Sequence, residues 1–141
     1  MNLDFITTPE RALSHLFFHC CFRDGQITKP EIKVVSEKLV ALGLNADLNF
    51  TNEVEGYQSY RAEIRDEQGY LKDLITRIHP TNELALFSYC VELCLSDGLL
   101  QTEEDTLLHN LGTTLELEET EQATCKKLMV QRKVVETEQV F

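Results

Sequence analysis

His15 and His19 stand four residues apart, a spacing that sets two imidazoles on one face of an α-helix and could offer two nitrogen ligands to a transition metal. Two ligands do not make a site. A third or fourth would have to come from a facing helix, for instance Glu92, or from turns carrying Asp24 and Asp97. The competing reading places both histidines at a partly wet seam between helices.

The run Asp24, Gly25, Ile27, Glu31 has the spacing of the second half of an EF-hand calcium loop, and Asp97, Gly98, Leu100, Glu104 repeats it. The first half is missing. The positions that should supply the first and third oxygen ligands hold Cys20 and Phe22 in one copy and Leu93 and Leu95 in the other. A thiol and hydrocarbons cannot replace carboxylates around a hard cation, so these strings read as helix-capping turns.

Cys90 and Cys94 are also four apart, with Cys20 and Cys21 at the corresponding place upstream. They fall on an apolar arc, where a free cysteine behaves as a small hydrophobe, and are expected in the core. The 5 cysteines, odd in number and without Cys-x-x-Cys spacing, fit a reducing compartment better than a disulfide framework. No His-Glu-x-x-His, Gly-x-Ser-x-Gly or glycine-rich phosphate or dinucleotide loop is present, and the 6 glycines are scattered singly. Among 24 acidic residues no carboxylate pair is singled out for acid and base work. No catalytic residue is therefore nominated, and an enzyme is the minority reading.

The elements that would position these residues are helices. Thr8-Pro9-Glu10 announces the first, because threonine can cap open amides and proline loses nothing at a first helical position. It is expected to run to Arg23 and stop at Asp24-Gly25. Thr28 and Glu31 form a capping box for a second helix that reaches Leu42. At steps of ~100° the first helix shows a narrow polar stripe of His15, His19 and Arg23, with Leu13, Leu16, Phe17, Phe18, Cys20, Cys21 and Phe22 over most of the rest. Such a helix belongs in the middle of a bundle.

This grammar recurs 73 residues later, the distance from Asp24 to Asp97. Cys94 answers Cys21, Leu100 answers Ile27, Glu104 answers Glu31, Leu107 and Leu108 answer Val34 and Val35, and Leu115 and Leu117 answer Leu42 and Leu44. A helix from Asn82 to Ser96 carries its polar stripe at Ser88, Glu92 and Ser96, the matching three positions. The pattern reads as a duplicated helix-turn-helix unit, with halves at about 9–44 and 82–117, whose two central helices are expected to pack together. Between the halves, Asn45 to Gly56 is polar and reads as a loop entering a helix. Tyr57, Tyr60 and Ile64 share one helical face, and Tyr70, Leu71, Leu74, Ile75 and Ile78 another, which Pro80 ends. A last helix from Glu118 to Glu138 has Cys125, Leu128, Met129, Val134 and Val135 as its apolar residues. The expected fold is all-α, a single compact bundle of six or seven helices spanning 1–141, with essentially no sheet.

A chain of 141 residues is one ordinary domain in size, and 43% hydrophobic content suits a packed globule. No apolar run approaches the ~18 residues needed to span a bilayer, and the opening MNLDFITTPER carries no leader pattern. The expectation is a cytoplasmic protein without membrane contact, so the sequon Asn49-Phe50-Thr51 has no chemical consequence. A net charge of −11 argues against nucleic acid as a partner. Lys126, Lys127, Arg132 and Lys133 follow the acidic stretch from Glu116 to Glu121 as charges complementing a helix dipole, on a solvated face.

The doubled pattern of an apolar helix, Asp-Gly and a capped helix, in Phe17 to Leu44 and Tyr89 to Leu117, resembles the tellurite-resistance TerB-like domain family. Arg77-Ile78-His79-Pro80-Thr81-Asn82-Glu83-Leu84, with Ser88-Tyr89-Cys90-Val91-Glu92-Leu93, is similar to bacterial members. The resemblance implies an all-helical bacterial cytoplasmic protein or module associated with tellurite and other stress responses. It also implies a possible divalent metal held by acidic residues, for which Asp24, Glu31, Glu92, Asp97 and Glu104 are the matching positions. His19 stands where the second copy has Glu92, so the copies would not form equivalent sites. The leading expectation is a non-enzymatic, stress-associated module that binds another protein or its own copy, without a cofactor. The alternatives are a metal-binding or metal-sensing domain using these acids with His15 and His19, and a hydrolase.

Overall fold

Thr8 and Pro9 start a helix where the sequence places one, and the proline occupies its first position. The computed structural model describes residues 1–22, 27–96 and 98–141. Among these the chain forms α1 (Pro9–Phe22), α2 (Lys29–Ala41), α3 (Phe50–Tyr60), a short 3-10 turn (Arg61–Glu63), α4 (Glu67–Ile78), α5 (Glu83–Cys94), α6 (Thr102–Thr114) and α7 (Glu119–Glu138), with no strand. The protein is all-α, as the helical periodicity predicts. It divides into two compact units, Met1–His79 with α1 to α4 and Pro80–Phe141 with α5 to α7.

Polar side chains set the helix boundaries. Thr28 accepts from the Glu31 backbone N–H at 3.3 Å while the Glu31 carboxylate accepts from the Thr28 N–H at 3.2 Å, the reciprocal box expected at α2. The Glu104 carboxylate accepts from the Gln101 N–H at 2.9 Å at the start of α6. Asn49, Asp66 and Asn82 cap α3, α4 and α5 through the N–H groups of Asn52, Gly69 and Ala85. The segment from Asn45 to Gly56 is a loop entering a helix, as expected, with the change made at Asn49, which caps a helix running from Phe50. Gly98 takes φ of +102°, open to glycine at little cost, and donates to Leu95 after α5 ends. The expected helix end at Arg23 and the stop at Asp24-Gly25 lie outside the described residues, as does Asp97.

In the first unit α1 packs against α2, α3 and α4. Leu16, Phe17, Phe18 and Phe22 are sealed among Val35, Leu39, Tyr57, Leu71 and Leu74, which fits the expectation that this helix is central. In the second unit α5 packs against α6 and α7. Phe87, Cys90, Val91, Leu93 and Cys94 meet an interior that includes Leu107, Leu108 and Leu111. Cys20, Cys90, Cys94 and Cys125 are buried, as their apolar positions predict. α7 is the exception to full burial: it seals Cys125 and Met129 but leaves Leu128 58% and Val134 40% exposed.

Candidate functional site

α1 does not present its histidines to water. The two described residues of its polar stripe are turned inward: His15 is wholly buried and His19 is 5% exposed. The expectation of a partly wet seam is therefore corrected. What lets imidazoles sit in a core is a partner for each ring nitrogen, since a buried polar atom left without one costs on the order of 1–3 kcal/mol.

For His15 those partners come from α3. Nε2 lies 3.0 Å from Glu53 Oε1 and Nδ1 lies 2.7 Å from the Tyr60 hydroxyl, which lies 2.6 Å from the Tyr70 hydroxyl of α4. The other oxygen of Glu53 accepts from Arg11 Nε at 3.0 Å. A carboxylate only accepts, so Nε2 carries the imidazole proton. Nδ1 must then accept from Tyr60, and the Tyr60 oxygen must accept from Tyr70. Burial holds the His15 pKa below 6.5 against the opposing pull of Glu53, which agrees with a neutral ring.

Four residues along α1 the arrangement recurs. His19 Nε2 lies 2.9 Å from Glu67 Oε2 and Nδ1 lies 2.8 Å from the Tyr57 hydroxyl. Arg61, just past α3, donates from Nε to the Phe22 carbonyl at 2.9 Å. Beside His19 a polar pocket of about 290 Å³ is lined by Arg61, Ile64, Arg65 and Glu67.

A carboxylate, an imidazole and a hydroxyl in sequence are the parts of a general-base relay. Their surroundings set a different task. Burial pushes the hydroxyls of Tyr57, Tyr60 and Tyr70 well above the ordinary tyrosine range, so they stay protonated and act as donors. All three are at most 4% exposed. The two relays lock α1 to α3 and α4.

The five described positions among the seven candidate metal ligands do not converge on one point. His15 and His19 serve the two relays, Glu31 and Glu104 cap α2 and α6, and Glu92 is half-buried on α5. Asp24 and Asp97 lie outside the described residues. Among the described residues no three His, Cys, Asp or Glu side chains converge on a point a cation could occupy. Sequence reasoning did not nominate Arg11, Glu53, Tyr57, Tyr60, Glu67 or Tyr70 as polar partners. The available signal was Glu53, four residues before Tyr57 and so on the same helical face as an aromatic pair.

The second unit carries a surface of another character. Between α5 and α7 runs a groove of about 640 Å³, lined by Leu84, Ala85, Cys125, Leu128 and Met129, with Glu121 and Arg132 on its α7 side. Leu84 is 38% and Leu128 58% exposed, so its apolar wall faces solvent. Burial pushes the Cys125 thiol up, so this residue lines the groove as a neutral, weakly polar group. No helix among the described residues is long and apolar enough to cross a membrane. No protein-family profile, curated protein or solved structure matches this chain.

Proposed function

We propose that this protein is a non-enzymatic helical module that works by binding another polypeptide in the groove between α5 and α7. The observation that carries the reading is the solvent-facing apolar wall of Leu84 and Leu128. Exposed apolar surface that is contiguous and rimmed by polar groups is the mark of a protein contact, and a groove between two helices suits an amphipathic helix. The buried relays support the same reading, because their imidazoles and hydroxyls hold α1, α3 and α4 together. The sequence resemblance to TerB-like domains favours a bacterial, cytoplasmic, stress-associated role of the tellurite-resistance type.

The test is photocrosslinking in cells. Thr124, exposed on the groove, is replaced by p-benzoylphenylalanine, and Glu37 on α2 serves as the control position. A discrete adduct containing a second polypeptide, formed from position 124 and absent from position 37, is the expected result. No adduct from 124, or equal labelling from both positions, overturns the reading.

A further inference from the structure

Glu118, Glu119 and Glu121 stand at the start of α7, Lys126, Lys127, Arg132 and Lys133 along its middle, and Glu136 and Glu138 at its end. The groove takes from it one stripe: Glu121, Thr124, Cys125, Leu128, Met129 and Arg132. If a second α7 is laid against this stripe in the opposite direction about a two-fold axis, Glu121 meets Arg132, Thr124 meets Met129 and Cys125 meets Leu128. Each acid then faces a base and each smaller side chain faces a larger one. A parallel arrangement in register would put Glu121 on Glu121 and Arg132 on Arg132.

We propose that the occupant of the groove is α7 of a second copy of this chain, lying antiparallel, with Leu128 of each copy seated over Cys125 of the other. This rests on the groove being a protein-binding surface and names its partner. The contact is isologous, so each favourable pairing occurs twice and the assembly closes at two. From Glu121 to Arg132 is about 16 Å, or three helical turns, and a strip of that length and about 10 Å wide offers about 160 Å², well under the standard interface of about 800 Å² per partner. The dimer is accordingly weak and concentration-dependent.

Sedimentation equilibrium of the full chain, from about 10 to 500 µM in about 0.15 M salt, tests it. The mass should rise from 16.2 kDa toward twice that value. Leu128→Glu should remain monomeric with an unchanged helical circular dichroism spectrum, since that side chain is largely exposed. Glu121→Arg should weaken association at least tenfold, and the pair Glu121→Arg with Arg132→Glu should restore it. A monomer throughout overturns the proposal. A dimer indifferent to Leu128→Glu overturns its location, and failure of the charge-reversed pair to recover overturns its antiparallel sense. Adducts at position 124 that contain only a different protein would defeat the second-copy inference while leaving the binding role intact; no adduct would defeat both.

Discussion

The tyrosine hydroxyls in the first unit carry more weight than their small size suggests, because each is the only polar atom of its side chain: those of Tyr57 and Tyr60 serve histidines and that of Tyr70 serves Tyr60. Tyr60→Phe removes the donor to His15 Nδ1 and the acceptor for Tyr70 while leaving the ring packing in place. Two buried polar groups lose a partner, so the expected loss is about 2–4 kcal/mol of unfolding free energy by urea titration. A loss under about 0.5 kcal/mol would show that this chain of hydroxyls is not under energetic demand. The same geometry fixes a pH dependence. The His15 pKa is lowered in the fold, chiefly by burial, so as pH falls below 6.5 the unfolded chain takes up a proton that the folded chain refuses. Stability is fully present above 6.5 and declines, by at most about 1.4 kcal/mol per pH unit from this group, until the lowered folded pKa is reached. Imidazole ¹⁵N shifts check the premise: at pH 6.5 the His15 ring should be mostly in the neutral Nε2–H form, and a mostly doubly protonated ring would contradict it.

At the level of elements, the capping chemistry was open to reading from sequence and the long-range pairing was not. Thr28 and Glu31 are three residues apart, and a box of that kind needs only its own local backbone. Thr28→Ala should therefore lower stability by about 1 kcal/mol, read as a shift in denaturant midpoint at constant slope. An unchanged midpoint would mean that α2 is held by Val35 and Leu39 alone. The start of α3 was harder, because Asn49 lies in a polar stretch whose composition suits a loop, and only the bond from the Asn52 N–H reveals its role. Glu53 shows why the relays stayed hidden. Its partners Arg11 and His15 lie 42 and 38 residues away, and nothing in the periodicity of either segment points across that distance. His15 and His19 were correctly placed on one face of α1. The inward direction of that pair depends on carboxylates and hydroxyls supplied by α3 and α4, which their spacing does not encode.

Over the whole chain the acidic excess is unevenly spread. Up to His79 there are twelve acidic and nine basic side chains, and from Pro80 on twelve and four, which divides the net −11 as −3 and −8. The four bases of the second unit all lie on α7, where Lys126 pairs with Asp105 at 2.7 Å. Added salt weakens both the self-repulsion and such favourable pairs, so the sign of its effect depends on which is larger. Exposed pairs of this kind contribute about 0.2–1 kcal/mol each. Against the few of them stand acids that outnumber bases three to one in the second unit, so repulsion dominates. Raising ionic strength from about 0.01 to 0.15 M, which cuts the screening length from about 30 to 8 Å, should stabilise the fold. For a chain of this size each kcal/mol gained raises the melting temperature by about 3–5 °C. The comparison belongs on the monomeric Leu128→Glu variant, so that strengthened pairing through α7 does not enter the reading. A fall in melting temperature with salt would mean that local ion pairs, rather than the net charge, govern the electrostatics of the fold.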